Sequence, residues 1–238
     1  MEGAHGVGAG LALGGDDARK LVVVLRKRSG DQIEVCDSAG RVFRATLSVE
    51  GDEVSARLDE ELAAQRPVAL RLELAQGVPK GAKMDYVVEK ATELGVSRIV
   101  PVVSERTQGS SDGRTGKLER WRRLARTAAQ QCGRSDVPEV AAPVDWDGLC
   151  AGLSAVDLAL VPWELAPPEP LRERLPTLLE GVRSVTVVIG PEGGLSHGEV
   201  ERAIAAGAVA VSLGSRILRT ETAGLVACSA LLYAAGEL

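Results

Sequence analysis

From Lys20 to Ala75 apolar and polar residues alternate in twos. Gln32 to Cys36, Arg41 to Val49, Glu53 to Leu58 and Val68 to Leu74 read as strands, with turns at Asp37 to Gly40 and Glu50 to Asp52. Side chains point to opposite faces along a strand, so this stretch predicts a small β-domain, a barrel, over residues 1–75. From Gly77 onward the period changes. Met84, Val87, Val88, Ala91 and Leu94 recur at helical spacing, Gly95 supplies a stop, and Arg98 to Val103 reads as a buried strand. Ala155 to Val161, Ser184 to Ile189 and Ala208 to Leu213 are further strands separated by helices. That alternation predicts an α/β domain with a largely parallel sheet over residues 76–238, the Pro-rich stretch Ala166 to Pro170 being a loop inside it.

Two helices stand out in the larger part. Thr222 to Gly236 is an uncharged apolar stretch, too short for the roughly 17 residues a bilayer span needs, and reads as a buried helix. Lys117 to Gln131 is amphipathic: Leu118, Trp121, Leu124, Ala125 and Ala128 share one face, and Arg120, Arg122, Arg123 and Arg126 fall largely opposite.

Composition narrows the class. A chain of 238 residues with 45% hydrophobic and 26% charged residues is neither disordered nor fibrous, and holds one or two domains. Only 3% is aromatic, so the core is built of Ala, Val and Leu. Met1 to Gly15 carries no Lys or Arg and lacks the cationic start and apolar run of a secretory signal. Cys36, Cys132, Cys150 and Cys228 are widely spaced with no CxxC pair, which predicts reduced thiols, no metal site and a cytoplasmic protein. His5 and His197 are isolated, His197 just inside a helix start. The net charge of −5 hides two basic clusters: five cations and no acid from Arg19 to Arg28, and seven cations against Glu119 alone from Arg114 to Arg134. Such clusters suit phosphate contact, or are solvated faces.

Two loops carry candidate chemistry. The strand ending at Ile189 runs into Gly190, Pro191, Glu192, Gly193 and Gly194, and Ser196 and Glu199 then stand at capping-box spacing. Glycines after a parallel strand let backbone approach a ligand at the carboxyl edge of the sheet. A tight strand-to-helix turn without a ligand explains the same residues. The second loop, Gly214 to Thr222, holds Arg216, Arg219 and Glu221 and is long for its kind. It serves a ligand or is a salt-bridged connector. No dinucleotide fingerprint and no GxxxxGK[ST] loop competes.

The runs GPEGGLSHGEV (Gly190 to Val200) and LGSRILRTETA (Leu213 to Ala223) resemble the paired signature of the RsmE-type 16S ribosomal RNA uracil-N3 methyltransferases of the SPOUT superfamily. The similarity extends through Lys80 to Thr107, Gln130 to Val140 and Pro162 to Glu164, and more weakly through Val24 to Ala45. Ser215 replaces a frequent proline, and Met1 to Gly10 lacks the family's aromatic start. The resemblance implies a SPOUT-type trefoil-knotted parallel sheet with helices on both faces, preceded by a PUA-like β-barrel that binds RNA. It implies S-adenosyl-L-methionine as methyl donor, 16S ribosomal RNA of the small ribosomal subunit as substrate, a homodimer, and neither membrane nor DNA as partner.

On that resemblance, Gly190, Pro191, Glu192, Gly193, Gly194, Leu213, Gly214, Ile217, Leu218, Thr220 and Thr222 are expected to hold the cofactor. Uracil N3 is a poor nucleophile until its proton leaves, so a base or anion stabiliser is needed. Glu221, or alternatively Glu192, would take that role. Arg219 would stabilise the uracil anion or grip a flanking phosphate. Arg26, Arg106, Arg120, Arg123, Arg126 and Arg134 are expected on RNA. Two rival readings are a SPOUT enzyme acting on ribose 2′-oxygen of another RNA, and a non-catalytic RNA-binding assembly factor.

Overall fold

The computed structural model describes residues 5–37, 40–63, 69–107, 114–169 and 171–238. The chain divides into two units, Met1–Pro67 and Val68–Leu238.

In the first unit, β1 (Gly10–Leu13) is followed by a short helix α1 (Gly15–Arg19), a π-helical turn over Lys20–Val24, and β2 (Gln32–Cys36), β3 (Val42–Glu50) and β4 (Glu53–Leu62). All pairings are antiparallel, in the order β1-β4-β3-β2. The alternation seen in the sequence is the cause: Phe43, Ala45, Ala56 and Leu58 turn inward with Leu11 and Val35 to form the unit's own core. Gly51, at φ 61°, makes the tight turn between β3 and β4. The observed element is a four-stranded antiparallel sheet, with β1 added by a Gly-rich stretch that shows no alternation.

The second unit contains β5 (Arg71–Gly77), α2 (Lys83–Leu94), β6 (Arg98–Val103), α3 (Arg114–Cys132), β7 (Glu139–Val140), β8 (Val144–Asp145), α4 (Trp146–Leu153), β9 (Leu158–Pro162), α5 (Leu171–Leu178), β10 (Ser184–Ile189), α6 (His197–Ala205), β11 (Ala208–Val211) and α7 (Thr220–Ala234). Its sheet is wholly parallel in the order β11-β9-β10-β5-β6-β7, with β8 also on β6. Helices cover both faces. Leu74, Ile99, Leu160 and Val187 face α2, α3, α5 and α7, while Ala75, Val100, Val161 and Val188 face α4 and α6. Apolar residues on both sides explain the continuous hydrophobic runs of these strands.

The stretch expected as the last strand of the small domain belongs here. Residues 71–77 form β5, hydrogen-bonded between β10 and β6 near the middle of the larger sheet, so the boundary falls before it rather than at residue 75. Its pattern alternates polar and apolar because Arg71 and Glu73 sit at the sheet's amino edge, where Glu73 pairs with Arg98. Elsewhere the expected elements form with small shifts: Gly95 closes α2 in the left-handed region at φ 102°, and Ser196 and Glu199 make the capping box of α6, which starts at His197. Among the described residues, no helix is long and apolar enough to cross a membrane.

Candidate functional site

β10 lies between β9 and β5, where the direction of strand addition reverses, and open α/β sheets bind ligands at the carboxyl edge of such a point. The loop after β10 is pressed tightly into place. A Cβ at Gly190 would lie 2.9 Å from Leu195 Cγ, and one at Gly77 would lie 2.5 Å from the Pro191 nitrogen. Gly194 adopts φ 68°. The loop's far end is held by Glu199, whose carboxylate accepts from the Ser196 amide at 2.9 Å and from the Glu105 amide at 2.7 Å.

The second loop returns to meet the first. The Thr220 hydroxyl, at the start of α7, donates to the Gly190 carbonyl at 2.6 Å and accepts from Gln76 Nε2 at 2.8 Å; that amide also donates to the Gly77 carbonyl at 3.1 Å. Gln76 Oε1 is buried with no hydrogen-bond partner among the described residues, a cost of about 1–3 kcal/mol. Between the loops lies a cavity of about 440 Å³, within the range of small-molecule sites. Gly190 to Leu195 form one wall and Ile217 to Thr220 another; Trp163 and Glu164 of the loop after β9, and Lys83 of α2, complete it. A second, more open depression of about 360 Å³ on the small sheet is lined mainly by small residues, and its one charged group, Arg57, is paired with Asp59. It lacks the convergent charges of the first.

Those charges are organised by Lys83. Its Nζ lies 3.1 Å from Glu192 Oε1 and 3.5 Å from Glu221 Oε2, and Glu192 also accepts the Lys80 amide at 3.0 Å. Burial works against ionisation of Glu192, but the amides of Lys80 and Glu192 itself and the Lys83 ammonium outweigh it and hold the carboxyl below its ordinary value. The hydrogen bond with Glu192 in turn holds the Lys83 ammonium above the usual lysine value, against slight desolvation. Glu221 Oε2 is shielded from solvent and makes no hydrogen bond, Lys83 being close but outside hydrogen-bond geometry.

Gly190, Pro191, Glu192, Gly193, Gly194, Ile217, Leu218, Arg219 and Thr220 thus line one cavity. Glu221 is not part of the lining but pairs with Lys83, which is. Leu213 packs on the core beneath, Gly214 is exposed at φ 109°, and Thr222 is exposed on α7; none of the three lines the cavity. The arginines expected on RNA fall into distinct settings. Arg26 is exposed at φ 54° in the first unit. Arg106 donates to the Gly193 carbonyl at 3.0 Å and so braces the glycine loop. Arg120 pairs with Asp85, which also accepts from the Trp121 indole. Arg123 and Arg126 are exposed, with no ion pair among the described residues. Arg134 is mostly buried: it donates to the Thr92 and Val96 carbonyls at 2.7 and 3.0 Å, closing the end of α2, and pairs with Asp136. It has a structural task rather than a free guanidinium. Gln76, Lys83, Trp163 and Glu164 received no role from sequence reasoning; the only sign of them was that the runs containing Lys83, Trp163 and Glu164 were among those carrying the resemblance.

Residues 66–232 match the RNA methyltransferase domain family. The chain is 33% identical over 229 residues to the ribosomal RNA small subunit methyltransferase E of Bacillus subtilis (strain 168), covering 94% of this chain and 90% of that protein. Among solved structures, a ribosomal RNA small subunit methyltransferase E from Neisseria gonorrhoeae bound to S-adenosyl methionine superposes with a TM-score of 0.85 at 30% identity, covering 98% of this chain and 95% of that one. A putative methyltransferase from Legionella pneumophila in complex with the bound cofactor SAM gives 0.83 at 32% identity, covering 98% and 96%. With sequence and fold matched over nearly its whole length, the chain belongs to the ribosomal RNA small subunit methyltransferase E family.

Proposed function

We propose that this protein transfers the methyl group of S-adenosylmethionine to N3 of a uracil in 16S ribosomal RNA of the small subunit. The observation that carries the reading is the meeting of the two loops through Thr220 around a single cavity. The cavity suits the cofactor: glycines at 190, 193 and 194 leave backbone unscreened, Ile217 and Leu218 offer apolar surface, and Glu164 offers a carboxylate for a cationic ligand, Glu192 being paired with Lys83. When bound, the cofactor supplies an electrophilic methyl carbon on a sulfonium.

The protein's own part is to position and to move a proton. Bringing nucleophile and methyl carbon into line requires a rigid cradle, which the close contacts of Gly77, Gly190 and Pro191 provide. Glu192 is committed to Lys80 and Lys83 and is held below the ordinary carboxylate value, so it is a poor base at neutral pH. Of the two carboxylates, Glu221 is assigned the N3 proton because its ion pair with Lys83, at 3.5 Å, is looser than the contacts at 3.0 and 3.1 Å that hold Glu192. Arg219, exposed at the cavity wall, stabilises the resulting anion or holds a neighbouring phosphate.

The finer architecture belongs to the same proposal. The return of the chain from edge strand β11 to α7, which packs over β5 and β10, supports a trefoil knot. The antiparallel sheet of the first unit supports a PUA-like RNA-binding barrel, with Arg26 in that unit and Arg123 and Arg126 on α3 of the other meeting phosphates. The active form is a homodimer. Incubation with labelled S-adenosylmethionine and undermethylated small subunits, followed by nucleoside mapping, is expected to yield N3-methyluridine. A 2′-O-methyl nucleoside, or no incorporation, overturns the assignment.

A further inference from the structure

Gln76 is a fully buried polar side chain following Leu72, Leu74 and Ala75 in β5. Its partners leave it one orientation. The amide nitrogen faces two acceptors, Thr220 Oγ1 and the Gly77 carbonyl, and the Thr220 hydrogen is already committed to Gly190. Turning the amide over would set Oε1 against the Gly77 carbonyl oxygen. Oε1 therefore faces α7, where a Cβ on Gly224 would lie only 3.0 Å away, and meets no donor among the described residues. An apolar side chain of similar shape would occupy the same space without stranding an acceptor. Glutamine here strands one acceptor in exchange for two donated hydrogen bonds. What it adds is a donor to the Thr220 hydroxyl.

We propose that Gln76 is a positioning residue for methyl transfer. Its amide occupies an acceptor lone pair of Thr220, which directs the remaining O–H at the Gly190 carbonyl and fixes the Gly190–Pro191 peptide against the start of α7. Packing against Gly77 and the Gly194 amide on the Pro191 carbonyl hold the turn on its own side, and the Thr220 hydroxyl is the hydrogen bond that ties its Gly190 carbonyl to α7. Without the amide the hydroxyl is free to rotate and the cradle loosens, although no atom of Gln76 lines the cavity.

The inference rests on reading the cavity as the S-adenosylmethionine site, and the test separates the two. Calorimetric titration of the full-length protein with S-adenosylmethionine is paired with thermal melting for the wild type, Gln76→Leu, Thr220→Val, Thr220→Ser and the double variant Gln76→Leu/Thr220→Val. Gln76→Leu is expected to melt close to the wild-type temperature, the relieved acceptor offsetting the lost bonds, while its dissociation constant rises about tenfold, the equivalent of one hydrogen bond. Thr220→Val should weaken binding similarly, and Thr220→Ser, which keeps the hydroxyl, should return it to within about twofold. The double variant should bind no more weakly than either single one, since each breaks the same relay. Stability and affinity moving apart is a result that a purely structural glutamine does not give. Wild-type affinity in folded Gln76→Leu overturns the inference alone, as do additive losses in the double variant. If Gln76→Leu does not fold, Gln76→Met, which keeps the unbranched shape without the amide, decides, and wild-type affinity in that folded variant overturns the inference. A wild type that binds no S-adenosylmethionine overturns the reading of the cavity as well.

Discussion

At Gly77 one added methyl group has nowhere to go, because it would meet the Pro191 nitrogen at 2.5 Å and the Gly190 carbonyl carbon at 2.7 Å, both backbone. Gly77→Ala is therefore expected to destabilise the fold by about 1–3 kcal/mol in urea unfolding. It should also weaken S-adenosylmethionine binding, since the displaced atoms belong to the cavity wall. Charge gives a second prediction at the same scale. Glu192 titrates below an unfolded glutamate, so its contribution to stability is complete above the ordinary carboxylate range and is lost as pH falls through its lower folded value. Lys83 has the opposite sign: raised in the fold, it contributes below the ordinary lysine value of about 10.4 and is lost as pH climbs beyond it. Melting temperature measured against pH should fall less steeply on the acid side in Glu192→Gln than in the wild type. Equal slopes would show that the Lys80–Lys83 tether contributes nothing. Glycine and glutamate at 190–194 were conspicuous in the sequence. Gly77 was not, because its constraint comes from a residue more than a hundred positions away.

The helix α3 shows how far a periodic pattern carries and where it stops. Its apolar stripe was readable, and Trp121 and Ala125 are buried in the core as the spacing implies. The basic face was equally readable, but its arginines divide by what folding sets opposite them. Arg120 meets Asp85, Arg122 meets Glu119 and the Val140 carbonyl, and Arg134, just beyond the helix, closes α2, whereas Arg123 and Arg126 stay open to solvent. Reversing the charge at Arg123 and Arg126 is expected to weaken binding to 16S ribosomal RNA and to lower the slope of log affinity against log salt by roughly one for each phosphate no longer neutralised. Arg134→Ala should instead lower stability, by about 1–3 kcal/mol, and leave the salt slope unchanged. Melting curves and filter binding across a salt series distinguish the two outcomes.

For the molecule as a whole, each unit buries its own apolar residues: Leu11 to Leu58 supply one core, and residues from Leu70 onward supply the two layers of the other. A fragment spanning residues 68–238 is expected to unfold cooperatively and to bind S-adenosylmethionine with affinity close to that of the full chain, while losing affinity for RNA; melting, calorimetry and RNA titration check the three parts. The change of period near residue 77 revealed two units but misplaced β5, since alternation in a half-buried antiparallel strand and in a parallel strand with polar ends looks alike. Local order along the chain was enough for the types of most elements, the caps at Gly95 and Ser196, and the two glycine-bearing loops, because helical spacing, strand alternation and left-handed turns depend on neighbours. Folding alone brought Thr220 to Gly190 and Gln76, set Lys83 between Glu192 and Glu221, and enlisted Arg106 and Arg134 as braces. These contacts join residues as much as 144 positions apart. Their geometry follows from strand order and packing, which a window of neighbouring residues does not contain.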